Sequence, residues 1–359
     1  MTGIKISGNR EYWIQVPPAD LPEAFQTGKT DGRNSLMCTC ITCENGAFYF
    51  GRNLDLDVSF GEHVVITPRR FPLHFTRLPV LNEHYAMTGM AAAPEEFPLY
   101  AEAVNEKGLC MAGLNFPDNA VYQKEKKGMF NPASFELIPW ILGRCSSVEE
   151  AEALLKNTNI TGDAFSLAMP PAPLHWMLAD RCRCLVLEPV GTGLNILENP
   201  IGVLTNNPPF EYHRWNLSQY MNLQAAPAVN RFAGGLKLKS CSQGVGAAGL
   251  PGDASSVSRF VRAAFLKWNS VSGRAERENV SQFFHILDAV SMVRGSVLTP
   301  QGTWDVTTYS CCINAGSGVY YYKTYEDSRI RRIDMMAGEL SGSALITETD
   351  GKIGIFESE

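Results

Sequence analysis

The rhythm of apolar and polar positions changes abruptly at residue 38. Upstream, QVPPADLPEAFQTGKTDGRNS (15–35) is rich in Pro, Gly and polar residues and holds neither a period of 2 nor one of 3.6. Residues 1–37 are therefore expected to be a leader, a tag or an upstream extension that the mature protein lacks. From Cys38 the chain alternates as a strand does, with Thr39, Ile41 and Cys43 on one face and Cys38, Cys40 and Thr42 on the other. Glu44-Asn45-Gly46 reads as a turn and Ala47 to Arg52 as the returning strand of a hairpin.

The same signals recur down the chain. LYAEAV (99–104) and LCMAGLNF (109–116) flank a turn as a second hairpin. Helices are predicted over Pro132 to Arg144 and Val148 to Asn157, the second capped by Ser147 with Glu150 completing a capping box. Strands return at LHWMLAD (174–180) and CLVLEPV (184–190), and GVLTNNPPF (202–210) runs as a strand into Asn and Pro. Glu211 to Leu223 has helical spacing, and a Gly-rich loop, GVGAAGLPGDASS (244–256), precedes helices near 257–269 and 278–293. The end is strand-rich again: TTYSCCINA (307–315), VYYYKTY (319–325) and RIRRIDM (329–335). Strands cluster at both ends with helices between them, and no repeat or linker divides the rest. One layered α+β domain is expected over residues 38–359.

Composition narrows the function classes. A chain of 359 residues that is 45% hydrophobic can bury a core without staples, and a net charge of −6 with no basic run argues against a nucleic-acid partner. The apolar stretches fall short of the ~20 residues a membrane-spanning helix requires, and the N-terminus lacks the apolar run of a secretory signal. A cytoplasmic protein is expected, with its ten cysteines as reduced thiols.

Three of those cysteines stand in MCTCITC (37–43). A zinc site would need four convergent ligands, and strand alternation turns Cys43 away from Cys38 and Cys40, so further ligands would have to come from Cys182, Cys184 or the Cys311-Cys312 pair. Cys40, Cys43, Cys110, Cys311 and Cys312 otherwise read as small core thiols. Cys38 differs because the hairpin returns Gly51-Arg52-Asn53-Leu54-Asp55 beside it. Were Met37 and all before it removed, Cys38 would hold a thiol nucleophile and an α-amine base in one residue. Arg52 could then favour the thiolate and Asp55 could orient the amine, although an Arg and an Asp after a hairpin also suit a surface ion pair.

These residues carry a family resemblance. MCT-x-I-T, FGRNLDLD and SFGE-x-VVITPRRFPL (within 37–73) resemble the opening of the choloylglycine hydrolase family, which contains bile salt hydrolases and penicillin V acylases. AGLNFPD (112–118), GVLTNNPPFEYH (202–213), GLPGDASSVSRFVRAAF (249–265) and the Tyr-rich hairpin near 309–325 continue the likeness as far as roughly Asp334. The resemblance implies an N-terminal-nucleophile hydrolase with a four-layer αββα fold: two stacked, mainly antiparallel sheets between helix layers. It implies Cys38 as nucleophile, Arg52 near the sulfur and Asp55 on the amine. Asn206 would donate its side-chain amide to the oxyanion, helped by Asn115 and a backbone N–H, and Arg259 would complete the charged network. Read singly, Asn206 could shape a turn, Asn115 could end a strand and Arg259 could be a solvated helix charge.

The family implies an amide substrate. Bile salt hydrolases of this type carry asparagine where penicillin V acylases commonly carry tyrosine, and the residue here is Asn115. A conjugated bile acid is thus the expected substrate, cleaved with neither metal nor organic cofactor, with penicillin V or another N-acyl amide such as an acyl homoserine lactone as the alternative. A thiol metal-binding or redox protein is the reading from a different class. Leu54 and Leu56 suit an apolar steroid face, and Phe60, Met129 and Phe130 are expected to extend the wall. A homotetramer is the expected assembly. The 37 residues before Cys38 depart from the family pattern and would have to be removed for the amine to appear.

Overall fold

Two antiparallel sheets stack face to face, and their strands read apolar on both faces because each sheet also carries helices on its outside. A computed structural model describes residues 37–57 and 59–347. The extension expected over residues 1–37 lies outside these, Met37 excepted.

The strands are β1 (Met37–Asn45), β2 (Ala47–Leu56), β3 (His63–Thr67), β4 (Met87–Ala92), β5 (Leu99–Asn105), β6 (Cys110–Asn115) and β7 (Leu174–Ala179). They continue as β8 (Cys184–Val190), β9 (Gly193–Glu198), β10 (Val203–Leu204), β11 (Val306–Asn314), β12 (Val319–Thr324), β13 (Arg331–Asp334) and β14 (Ile346–Thr347). The first sheet runs β10-β1-β2-β11-β12-β13 and the second β14-β3-β4-β5-β6-β7-β8-β9. Helices α1 (Leu137–Arg144) and α2 (Val148–Leu155) cover the second sheet, while α4 (Ser256–Asn269) and α5 (Glu276–Asp288) cover the first; α3 (Phe210–Asn216) follows β10. This is the expected four-layer αββα order.

Alternation explains the layers. On β6 and β7, Cys110, Ala112, Leu114, Met177 and Ala179 face the first sheet, while Met111, Trp176 and Leu178 pack with Trp140, Ile141 and Val148 under α1 and α2. The β1–β2 hairpin turns at Gly46, whose φ of +70° suits glycine. Gly51 lets β11 close in: a Cβ there would stand 2.0 Å from the Cys311 carbonyl oxygen.

Local differences from the sequence expectations have local causes. The helix expected from Pro132 starts at Leu137 after a 3-10 turn, because Ala133 is drawn into a bridge with Thr161 and the Glu136 carboxylate accepts from the Thr76 and Ala133 backbone N–H groups. Ser147 does cap α2, but Glu150 reaches Ser146 rather than closing a box on Ser147. The helix expected over 211–223 spans Phe210–Asn216 and then tightens into a 3-10 turn. The one expected to reach 293 stops at Asp288, as Met292 turns away to donate its N–H to Thr307 Oγ1 on β11. Strands β3, β4 and β9 carry no expectation from the sequence.

Candidate active site

Cys38 sits at the open end of β1, opposite Leu54 on β2, with Met37 opposite Asp55 and Cys40 opposite Arg52. Cys38, Arg52 and Asp55 are all buried. The alternation of β2 separates the last two. Arg52 points between the sheets, where Nη2 donates to Cys38 Sγ and Nη1 donates to the carbonyls of Gly113 (2.6 Å) and Ala101 (3.2 Å). Asp55 points to the helix side, where Oδ1 accepts from Thr307 Oγ1 at 2.5 Å and Oδ2 lies 4.0 Å from Arg259. Neither residue is the surface ion pair that the sequence also allowed.

Arg259, on α4, donates to the Cys38 carbonyl (2.5 Å), to Thr39 Oγ1 (2.6 Å) and to Asn206 Oδ1 (2.8 Å). Asn206 Oδ1 also accepts the Cys38 N–H at 2.9 Å, and Nδ2 donates to the Asn115 carbonyl at 2.8 Å. This orientation of the amide is the one its partners require, since donors meet the oxygen and an acceptor meets the nitrogen. The partner of Cys38 N is thus Asn206, where Asp55 was expected, because a peptide nitrogen has one hydrogen to give. An α-ammonium would have three, and Asp55 Oδ2 has no hydrogen bond among the described residues.

The loop that presents Asn206 is held from behind. Ser256, at the start of α4, accepts the Asn206 N–H at 2.9 Å, while His175 Nε2 lies 2.8 Å from the Thr205 carbonyl and His213 Nε2 lies 2.9 Å from that of Asn206. Carbonyl acceptors fix the proton on Nε2 of both rings. Burial pushes His213 down to about 4 against the pull of the Asn206 carbonyl, so that ring is neutral.

Electrostatically the thiol is poised but not ionised. Burial pushes Cys38 up, the Arg52 guanidinium opposes this, Asp55 adds to the rise, and the Asn115 backbone N–H and Arg259 work against it; the balance lies above the ordinary thiol value. A base is needed to take its proton. Burial also raises Asp55, against Arg259 and Thr307, to about 6.

Among known families, the profile of "linear amide C–N hydrolases, choloylglycine hydrolase family" matches residues 38–348. The chain belongs to the choloylglycine hydrolase family. It is 46% identical to a bile salt hydrolase/transferase of Lactiplantibacillus plantarum, over 87% of this chain and 96% of that one. It is 39% identical to a bile salt hydrolase/transferase of Clostridium perfringens, again over 87% and 96%. A crystal structure of a conjugated bile acid hydrolase from Clostridium perfringens superposes with a TM-score of 0.80 at 38% identity, covering 87% of this chain and 96% of that one. A penicillin V acylase from Agrobacterium tumefaciens shares the fold, with a TM-score of 0.68 at 17% identity over 89% and 98%.

In this choloylglycine hydrolase family member a cavity of about 270 Å³ opens over Cys38. Arg52, Gly113 and Asn115 line its floor, and Leu54, Leu56, Phe60, Leu99, Tyr100, Ala101 and Leu174 its sides. Leu54, Leu56 and Phe60 therefore stand on this wall. Met129 and Phe130, expected on the same wall, lie elsewhere: Met129 lines a separate cavity near Leu155 and Ile196, and Phe130 packs on Trp140 with its ring centroid 5.5 Å away. Both follow the 121–130 segment, which runs along the outside of the second sheet and bridges to Thr158 and Thr161.

The cysteines named in the metal or redox reading split between two faces of β1, with Cys182 and Cys184 lining one cavity with Cys43. Cys43 lies on the helix side, where Lys267 is its charged neighbour, whereas Cys38 and Cys40 lie on the Arg52 side. Among the described residues no three His, Cys, Asp or Glu side chains are gathered to hold a metal ion, and no helix is long and apolar enough to cross a membrane.

Sequence reasoning missed Thr307, His175, His213, Asp305 and Glu102. Glu102 left a signal: it is the one charged residue in LYAEAV, with apolar neighbours on both sides.

Proposed function

We propose that the protein hydrolyses the amide bond of glycine- or taurine-conjugated bile acids through a thioester on Cys38. The observation that carries this reading is a buried thiol with a guanidinium and a backbone N–H at its sulfur, opening to an apolar cavity. The relatives named as bile salt hydrolases point to the same substrate class. A steroid body suits the walls of Leu54, Leu56, Phe60, Leu99 and Leu174, with the scissile amide directed to the sulfur.

Freed of Met37, the α-amine of Cys38 takes the thiol proton, held by Asn206 Oδ1 and Asp55. The thiolate, favoured by Arg52, attacks the amide carbonyl carbon. The oxyanion receives N–H donors from Asn206 Nδ2, which has a second hydrogen beyond that given to Asn115, and from the Asn115 backbone. The α-ammonium protonates the departing nitrogen, releasing glycine or taurine, and the same amine then activates the water that cleaves the cholyl thioester. Asp55 must be ionised to hold the ammonium, and the ammonium in turn favours the carboxylate, so activity falls at acid pH, below the value of about 6 that Asp55 has beside a peptide nitrogen. Self-association to a tetramer and residence in the cytoplasm belong to the same reading and are checked by light scattering and cell fractionation.

The deciding experiment joins intact mass and N-terminal sequencing to a panel of glycocholate, taurocholate and penicillin V, with Cys38→Ser as control. Chains beginning at Cys38 are expected to turn over both conjugates faster than penicillin V, and the serine variant neither. Turnover by chains that still carry Met37 would refute the amine as base. Preference for penicillin V would make the protein an acylase of that class.

A further inference from the structure

Beside Arg52 lies a group the mechanism above does not use. Glu102 of β5 is wholly buried, and its Oε2 stands 3.8 Å from Arg52 Nε. Burial raises the Glu102 carboxyl and its partners oppose this: Arg52 first, then Tyr320, which donates to Oε1 at 2.6 Å, Tyr309, which donates to Oε2 at 2.7 Å, and the Cys311 thiol, all buried and the last three from the first sheet. Glu102 therefore joins the two sheets beside Arg52. The guanidinium it faces is fixed by the Gly113, Ala101 and Asn53 carbonyls and gives Nη2 to Cys38 Sγ.

A buried guanidinium between a carboxylate and a sulfur divides its charge between them. The more negative charge Glu102 carries, the less of the Arg52 charge is left to stabilise a thiolate. Two phenol donors draw negative charge away from Arg52, which moderates the pairing without cancelling it. Nε gives its one hydrogen to the Asn53 carbonyl at 3.4 Å, so Glu102 Oε2, 3.8 Å away, acts on the guanidinium by charge and not by a hydrogen bond.

We propose that Glu102, held by Tyr309 and Tyr320, is a positioning residue that sets how much of the Arg52 charge reaches Cys38 and thereby tunes the ionisation of the nucleophile. This rests on Cys38 being the nucleophile. Its test needs no substrate, however, so that its failure and the failure of the substrate reading can be told apart.

The measurement is the pH dependence of Cys38 alkylation by iodoacetamide in the full chain, read by mass spectrometry of the Cys38 peptide so that exposed Cys182 and Cys241 do not contribute. In Glu102→Gln the midpoint is expected to move down by about one pH unit, giving roughly tenfold faster alkylation below the midpoint. Glu102→Asp, which keeps the charge but withdraws it from the guanidinium, is expected to move the same way by a smaller step, and decides the matter if the glutamine variant does not fold. An unchanged midpoint, or a shift to higher pH, in the folded variants would overturn the proposal and leave Glu102 a structural tie between the sheets.

Discussion

Two buried arginines flank Cys38, and they differ in what they touch. Arg52 comes from β2, the strand paired with that of Cys38, and gives one donor to the sulfur itself. Arg259 comes from a helix on the opposite face and gives its donors to the Cys38 carbonyl, Thr39 Oγ1, Asn206 Oδ1 and the Ala254 carbonyl. Both are wholly buried, so burial does not distinguish them. Contact does: one touches the Cys38 sulfur, and the other fixes the main chain and the amide around it. Their countercharges follow the same division, with Glu102 beside Arg52 and Asp55 4.0 Å from Arg259.

The comparison breaks most visibly on neutral replacements. Arg52→Gln is expected to lower kcat/KM by about 10³-fold and to move the Cys38 alkylation midpoint upward, since the cation at the sulfur is gone. Arg259→Gln strands the Asp55 carboxylate and should cost about 3–5 kcal/mol in denaturant melts, while displacing the alkylation midpoint much less. Equal midpoint shifts in the two variants would erase the distinction between them. Asn206 belongs to both sides, because its oxygen meets Cys38 N and Arg259 while its nitrogen, the proposed oxyanion donor, meets the Asn115 carbonyl. Asn206→Ala should lose about 10²–10³ in kcat with KM little changed, measured by steady-state kinetics on a conjugated bile salt. A loss confined to KM would assign Asn206 to substrate binding instead.

This division was only half legible in the sequence. The β1–β2 hairpin was readable because alternation and an Asn-Gly turn specify it, and that alone brings Arg52 beside Cys38. The αββα order followed from the family likeness. What pattern could not supply was which face each neighbour takes: Arg52 and Asp55 are three residues apart on a strand, and so fall on opposite sides of it. Met129 and Phe130 show the reverse failure. Apolar residues in a loop carry no period, and only the bridges to Thr158 and Thr161 reveal that this loop runs away from the cavity. Glu102 and the two histidines act through contacts with residues far away in the chain, for which a single sequence offers no register.

Smaller effects test the helix side of the site. Asp305 is buried with neither carboxylate oxygen hydrogen-bonded among the described residues. Burial first, then Asp55, raises it to about 7 despite Arg259. A carboxyl raised on folding gives stability that is full below its unfolded pKa and lost as pH rises through the folded one, so its penalty is complete above about 7. Asp305→Asn should therefore raise Tm by about 3 °C at pH 8, the shift of roughly 1 kcal/mol, and give a clearly smaller gain at pH 5. Ser147→Ala supplies the contrast, since that cap lies on α2 over the other sheet and its hydroxyl does not titrate. Its loss of about 1 kcal/mol should be the same at both pH values in thermal melts. A pH-independent effect of Asp305→Asn, matching that of the cap, would mean that Asp305 is not coupled to the charges around Cys38.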